Sequence, residues 1–429
     1  MNTALILVFF ITMALGVPIA FTMGLAGLIA LLMRDGLSPL LVAQNMFSGL
    51  DSFPLLAIPF FILAAELMTG GALTDVLLKF ASQFVGHIRG GLGHTSILTL
   101  TFFSGISGSA LADAAGPGAM LIRMMRKAGY SQEYGAALIA ATAIVGPIIP
   151  PSIIMIVYAL TDNSVTVTGL FLAGVIPGFL ISGSLMIVNH WISRKRNYRA
   201  TSERPGWKEY FVNTWRALPA LALPFIILGG INFGFFTPTE ASAVAVFYAF
   251  VVGRFVYGTL TMDKLPGILF RSSLMTSSVL LIVSMSAVFA WVLTVGQIPQ
   301  AVSAYIVGWE LSPVALLLII NVFLLLFGIF IEPLPGVMML VPILAPLAEV
   351  AHLNPLHFAI VVIVNLTLGM ITPPVGGLLF VTSIVSKVPM GPLVKELWPL
   401  LGAQLVVLLL LTLVPGFSTW LPGLFGYTH

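Results

Sequence analysis

Hydrophobic residues fall along this chain in blocks long enough to cross a hydrocarbon core, which takes roughly 20 apolar residues per helix. The blocks predict spans at 4–32, 53–69, 72–88, 134–160, 168–192, 217–236, 239–257, 272–295, 356–386 and 397–414. Two further apolar stretches, 94–122 and 313–350, do not fit a simple span. Residues 38–52 and 260–270 suit short surface helices.

Composition agrees with the blocks. Of 429 residues, 59% are hydrophobic and 8% charged, and mean hydropathy is +1.09. A soluble domain carries about 25% charged residues, so this chain could not cover a water-facing surface. The segment Met1 to Phe10 has no basic residue and its apolar block runs on to Met33, which predicts a retained first span and not a cleaved signal peptide. A net charge of +3 is too small to suggest nucleic acid, and with no cysteine there is no disulfide, haem thiolate, iron–sulfur cluster or cysteine-ligated zinc.

The basic residues set the orientation, because Lys and Arg concentrate in cytoplasmic loops. The cluster from Arg194 to Arg216 places the 193–216 loop in the cytoplasm. Counting spans outward from it puts Arg34, the 86–94 and 123–133 segments, Arg254, Lys264, Arg271, Lys387 and Lys395 on the same side, with both termini periplasmic. Lys79, inside an expected span, is the one exception.

The 94–122 stretch has Arg89 on one side and Arg123, Arg126 and Lys127 on the other, so both its ends belong in the cytoplasm. Its middle, from Ser104 to Gly118, is small, polar and helix-breaking. That predicts a re-entrant hairpin turning near the midplane, where irregular backbone survives only if protein buries it or it lines a wet cavity. Residues 313–350, interrupted by Glu332-Pro-Leu-Pro335 and flanked by no Lys or Arg, suit a hairpin opening to the periplasm. Each hairpin is followed by a G-x-x-x-P-P break, at Gly146 to Pro151 and at Gly369 to Pro374. Ser109 to Pro150 and Glu332 to Pro373 are both 41 residues apart. The expectation is an all-α membrane protein of about ten transmembrane helices plus two re-entrant hairpins in an inverted repeat, 1–192 and 217–429, joined by the basic loop. Discontinuous helices meeting at the midplane of inverted repeats mark secondary transporters.

Glycine and proline at a break free carbonyl oxygens for a cation and present half-helix N-termini to an anion. Ser104, Ser107, Ser109, Thr142 and Ser152 supply hydroxyls in the first half, and Asn365, Thr367 and Thr372 supply polar groups in the second. A charge at the bilayer centre costs about 2.5–3.5 kcal/mol on insertion scales, so an intramembrane acid is a functional candidate by default. Asp113 and Glu332 sit at the hairpin tips, where each could instead cap a helix. Glu66 at a span end and Glu240 after Thr237-Pro-Thr read as structural. No Lys or Arg lies between Lys127 and Arg194 or between Arg271 and Lys387, so a carboxylate held there needs helix N-termini and hydroxyls. The six histidines have no metal-ligand spacing, and no H-E-x-x-H, G-x-S-x-G or phosphate-binding loop is present, so an enzyme is not expected.

The segments Pro59 to Leu67, Ser104 to Gly118, Gly146 to Met155, Thr237 to Ala241, Gly328 to Pro342 and Asn365 to Gly376 together resemble the large (M, DctM-type) subunit of tripartite ATP-independent periplasmic (TRAP) transporters. The resemblance implies an elevator mechanism in the bacterial inner membrane, sodium as coupling ion with no other cofactor, and organic carboxylates of the C4-dicarboxylate or sialic-acid type as substrates. It also implies a separate small four-helix (Q-type) membrane subunit and a periplasmic (P-type) substrate-binding protein as partners. Carried over by motif, sodium sites involve Ser104, Ser107, Ser109, Gly146 and Pro150 in one half, and Gly328, Glu332, Gly369 and Thr372 in the other. Substrate contacts fall on Ser109, Asp113, Ser152, Asn365, Thr372 and Gly376. A one-component sodium/dicarboxylate symporter or ion antiporter, and a non-transporting membrane scaffold, are the alternatives.

Overall fold

The computed structural model describes residues 1–34, 38–68, 71–200 and 204–427, and all regular structure among them is helical. The first apolar block is two helices, α1 (Asn2–Ala14) and α2 (Ile19–Leu32), broken at Gly16 and Pro18. Gly16 has φ of +80°, and proline cannot continue a helix through its missing N–H. The pair folds back on itself, so the expected single span 4–32 is a helical hairpin. Next come α3 (Leu40–Leu50), with no buried residue, and α4 (Ala57–Met68). A short 3-10 turn precedes α4, and the pair is bent by 65°.

Helix α5 (Gly71–Val85) follows, then the first hairpin: α6 (Gly91–Ser107), α7 (Ala110–Ala115) and α8 (Pro117–Lys127). Helices α9 (Gln132–Ala143) and α10 (Ile153–Thr161) flank the first G-x-x-x-P-P break, and α11 (Val167–Lys195) closes the half. The second half holds α12 (Trp207–Asn232), α13 (Pro238–Val251), α14 (Leu265–Val295) and α15 (Ile298–Val307). Its hairpin is α16 (Pro313–Gly328) and α17 (Pro333–Val350). Helices α18 (Pro355–Gly369) and α19 (Gly377–Ser386) flank the second break, before α20 (Met390–Leu413) and α21 (Gly416–Leu424). The expected 193–216 loop is shorter than its basic run, because α11 extends to Lys195 and α12 begins at Trp207. Six helices among the described residues are long and apolar enough to cross a membrane, or seven with the bent pair. Other expected spans are built from shorter pieces on either side of a break.

Helix α14 measures the thickness of the molecule. Near its start Arg271 pairs with Glu66 at 2.9 Å. At its far end Arg34 donates to the Val295 carbonyl at 3.2 Å and Asn2 to the Gly296 carbonyl at 2.8 Å. Arg34 therefore lies on the face opposite Arg271, not beside it as the span count required. Helix α3 goes with it, since Ser284 of α14 donates to the Met46 carbonyl at 3.1 Å. The cause is the α1–α2 hairpin, which returns the chain to the face where it began.

Lys79 is corrected in the other direction. Helix α5 starts just after Leu67, whose carbonyl lies beside Gly253 at the end of α13. It ends where Gln83 donates to Thr214 at 3.1 Å and Phe84 meets Tyr210 at 5.6 Å, at the start of α12. Tyr257 joins those two regions by donating to the Arg216 carbonyl at 2.9 Å. Both ends of α5 thus lie on the face of Arg271, and the expected span 72–88 runs along that face. Lys79 belongs to this basic face, and Arg34 is the exception.

The two acids read as structural are so. Thr237 and Glu240 form a capping box at the start of α13, and Glu66 makes the ion pair with Arg271. In the interior, α18 is buried along nearly its whole length and α9 from Tyr134 onward. Alanine at five positions of α9 lets neighbouring helices approach closely. These two helices carry the chain to the two breaks.

Candidate functional site

At the first break, Gly146 packs on the tip of the first hairpin. A Cβ on Gly146 would stand 2.9 Å from Asp113 Oδ2 and 3.1 Å from the Ser109 carbonyl carbon. Gly108, with φ of +61°, turns the hairpin, and a Cβ there would meet the Pro151 carbonyl oxygen at 2.5 Å. Both positions require the absence of a side chain. The Pro150–Pro151 and Pro373–Pro374 peptide bonds are both cis.

Asp113 is fully buried. Ser107 donates to its Oδ1, and the Ser104 hydroxyl lies 3.1 Å from its Oδ2 while its one proton is shared with the Leu100 carbonyl at 2.8 Å. Ser109, not Asp113, caps α7, accepting from the Ala112 N–H at 3.4 Å. Asp113 pairs with no Lys or Arg, since the ion pairs among the described residues are Arg196–Glu396 and Arg271–Glu66. A full hydroxyl bond to an ionised carboxylate recovers about 1.5–3 kcal/mol, which Ser107 can supply and Ser104 only in part. A buried charge without a partner still costs several kcal/mol.

The second break is arranged differently. Gly369 lies against Gly328 at the end of α16, where a Cβ would come within 2.5 to 2.6 Å of Gly328 backbone atoms. Gly376 has φ of +50°, and its N–H donates to the Ile329 carbonyl at 3.3 Å. Thr372 spends its hydroxyl on the Leu368 carbonyl at 2.9 Å. Asn365 donates to Asn321 Oδ1 at 2.8 Å, and Asn321 donates to Thr412 at 2.8 Å. That polar chain runs between helices, away from the tip. Glu332 is exposed, makes no cap bond to α17 and joins no ion pair among the described residues.

The two tips meet at a cavity of about 280 Å³. Ser109, Glu332, Met370 and Pro147 line it together with Ile62 of α4 and with Leu274, Met275, Ser278, Val279 and Ile282 of α14. The first residues of three helices also face it: Ala110 and Leu111 of α7, Ile153 and Ile154 of α10, Pro333 and Leu334 of α17. Among the lining residues none is basic, and Glu332 is the single charge. A ligand carboxylate about 5 Å from Glu332 would meet a repulsion of roughly 3 kcal/mol at an effective dielectric near 20.

Of the residues expected to contact substrate, only Ser109 lines this cavity. Asp113 sits behind the tip. Ser152 is buried, caps α10 and donates to the Pro147 carbonyl at 2.5 Å. Asn365, Thr372 and Gly376 lie at the second break, outside the lining. Of the residues expected to hold sodium, Ser104, Ser107, Ser109 and Gly146 come together around Asp113, with the Pro150 carbonyl facing the Gly105 side of the hairpin. Gly328 and Gly369 touch, whereas Glu332 lines the cavity and Thr372, three residues past α18, bonds back to the Leu368 carbonyl in the last turn of that helix. Sequence reasoning missed the α14 wall and Ile62, since no motif separates these side chains from the rest of an apolar helix. Ser278 was the single polar signal on that wall.

An all-helical fold with six or seven candidate spans among the described residues, and two broken helices beside one cavity, is that of a multi-pass membrane protein. The crystal structure of the Alcanivorax borkumensis YdaH transporter matches it with a TM-score of 0.61 at 16% identity, covering 89% of this chain and 88% of that one. The particular family follows from the sequence. Residues 6–417 match the model of the tripartite ATP-independent periplasmic transporter, DctM component, and the chain belongs to that family. It is 40% identical over 413 residues to the sialic acid TRAP transporter large permease protein SiaM of Vibrio cholerae, covering 96% of each chain. It is 39% identical over 405 residues to the C4-dicarboxylate TRAP transporter large permease protein DctM of Pseudomonas aeruginosa, covering 94% of each.

Proposed function

We propose that the chain is the transport subunit of a sodium-coupled, binding-protein-dependent secondary transporter that imports a small organic carboxylate. The observation that carries this reading is the cavity between the hairpin tips. Helices α7 and α10 begin at it, and the positive end of a helix dipole favours an anion where no Lys or Arg does. Helix α17 begins there too, but Pro333 and Pro335 have no N–H to offer and Glu332 stands at its cap. Sialic acid and C4-dicarboxylates, the ligands named for two relatives, both carry carboxylates.

Sodium answers the electrostatic deficit at the first tip. Buried Asp113 has one serine donor in Ser107, a shared one in Ser104 and no counter-charge among the described residues, and a small cation beside it would supply one. Ser104, Ser107 and Gly146 lie against that carboxylate, and the Pro150 carbonyl faces Gly105 on the same hairpin. At the second tip a cation would rely on backbone oxygens near Gly328 and Gly369, because the Thr372 hydroxyl is already engaged. The two halves act as inverted repeats, and the hairpins with α9–α10 and α18–α19 move as an elevator against α14 and its neighbours. The basic face is cytoplasmic and both termini are periplasmic in the inner membrane. A small membrane subunit and a periplasmic binding protein complete the assembly.

The test is uptake into proteoliposomes holding both membrane subunits, with the binding protein outside and an imposed sodium gradient. Uptake should need both the gradient and the binding protein. Uptake that persists without the binding protein would favour a one-component symporter. Orientation is read separately: the chain has no cysteine, so cysteines at 34 and 199 should label from opposite sides of the membrane.

A further inference from the structure

The start of α12 has no part in the cavity or the breaks, yet its surface is unusual. Trp207, Phe211 and Trp215 are 82%, 68% and 76% exposed. They recur every four residues, so they share one face of the helix. Lys208 stands on the same face, three residues before Phe211 and seven before Trp215. Arg204 precedes the stripe and Arg216 follows it, 100° around the helix from Trp215 and on the side of Glu209, and all three cations are exposed. None of them makes an ion pair among the described residues. Two acids are near: Glu209, turned a further 100° around the helix from Lys208, and Glu203, next to Arg204 in sequence and outside the described residues.

The inward face of the same turns is already occupied. Tyr210 stacks edge-on against Phe84, and Thr214 accepts from Gln83, both on α5. The aromatic stripe is therefore directed away from the protein. At 26 residues α12 is about 39 Å long, more than the roughly 30 Å of a hydrocarbon core. Its first turns, on the basic face, lie at headgroup level, where amphipathic rings settle. The end of α11, on the same face, repeats the chemistry, with Lys195 6.0 Å from the ring of Trp191.

We propose that the start of α12 is a binding site for an anionic phospholipid, with Lys208, Arg204 and Arg216 taking the headgroup phosphate and Trp207, Phe211 and Trp215 holding the glycerol and upper acyl chains. Charge selects the occupant. Cations with no ion pair among the described residues, set among aromatic rings, fit an anionic headgroup and gain little from a zwitterionic one or from an apolar helix of another subunit. Such a lipid would moor α12 and the α5 helix packed on it to the inner leaflet.

The experiment uses the complex of both membrane subunits in nanodiscs of phosphatidylcholine containing either brominated phosphatidylglycerol or brominated phosphatidylcholine. Bromine quenches nearby tryptophan, and the share due to α12 is read from the difference made by Trp207→Phe with Trp215→Phe. The α12 tryptophans should be quenched at lower mole fraction by brominated phosphatidylglycerol. Arg204→Gln, Lys208→Gln and Arg216→Gln together should cut that preference by roughly tenfold or more, since each cation near the surface contributes about fivefold. A conserved melting temperature shows that the triple variant is folded. Equal quenching by both lipids would reduce the stripe to an ordinary interfacial belt. Absence of quenching by either would show that a partner subunit covers it, and an unchanged preference in the triple variant would remove the cations from the site. Any of these three results overturns the proposal.

Discussion

The two hairpin tips stand at corresponding places in the two halves, each with an acid and each followed by the same break, yet they are built differently. At the first tip the acid is buried, bonded by two serines and pressed against a glycine. At the second the acid is free and faces the cavity, while the close contact is glycine on glycine behind it. Equivalent position does not give equivalent chemistry. What differs is the residue before the acid's helix: Ser109 caps α7 and leaves Asp113 to turn inward, whereas Glu332 itself occupies the cap position of α17 without making the bond.

The largest effect should come from the glycine pair. In Gly369→Ala the new methyl meets Gly328 backbone, which cannot rotate away. Overpacking of this kind costs about 1–3 kcal/mol. The purified complex should melt at lower temperature or fail to assemble. Gly146→Ala presses on the Asp113 carboxylate as well as the Ser109 backbone, at slightly longer distances, so a smaller fall in melting temperature should come with a weakened ion response. If Gly369→Ala assembles and melts like the parent, the tight contact is not a structural constraint.

Ser109→Leu should come next, with expression and assembly retained and uptake reduced to background, because the side chain would fill a cavity of about 280 Å³. Asp113→Asn removes the buried charge while keeping the shape. Sodium should raise the melting temperature of the parent complex and potassium should not, since a cation bound only by the folded form stabilises it. In Asp113→Asn the sodium increment should disappear. An undiminished increment would move the cation away from the first tip.

Much of the second-half plan was legible because glycine, proline and acid recur at fixed spacing, and such residues stand out in an apolar background. The α1–α2 hairpin was not. Gly16-Val-Pro18 is a short interruption inside a block that has the length of one span. Helix α5 was misread for a related reason: its hydrophobic residues are numerous enough for a span, yet Asp75 and Lys79 on one exposed face mark a helix lying along a surface. The family resemblance identified the motifs but could not say which hydroxyl faces an ion and which bonds its own helix. That choice depends on side-chain rotamers and on neighbours far away in sequence, such as Asn321 and Thr412 around Asn365.

The smallest effect separates the two tips at the level of one hydroxyl. Thr372, in the break just past α18, donates back to the Leu368 carbonyl in the last turn of that helix. Replacing it with valine keeps the branched shape and removes a bond that local backbone and water can replace. Uptake by Thr372→Val should stay within about twofold of the parent, and the melting temperature should hardly move, as expected for changes costing about 0.5 kcal/mol or less. Ser107→Ala is the matched change at the first tip, where the hydroxyl bonds a fully buried carboxylate. Removing that donor leaves Asp113 short of a partner, a loss of about 1–3 kcal/mol or more for a charged group. Its sodium-dependent stabilisation should shrink clearly. Measured side by side, the two variants show whether the ion-binding role belongs to the first tip alone. A Thr372→Val variant that loses uptake as badly as Ser107→Ala would mean that its hydroxyl turns from Leu368 to a ligand during transport, and the contrast between the tips would then hold only for this one conformation.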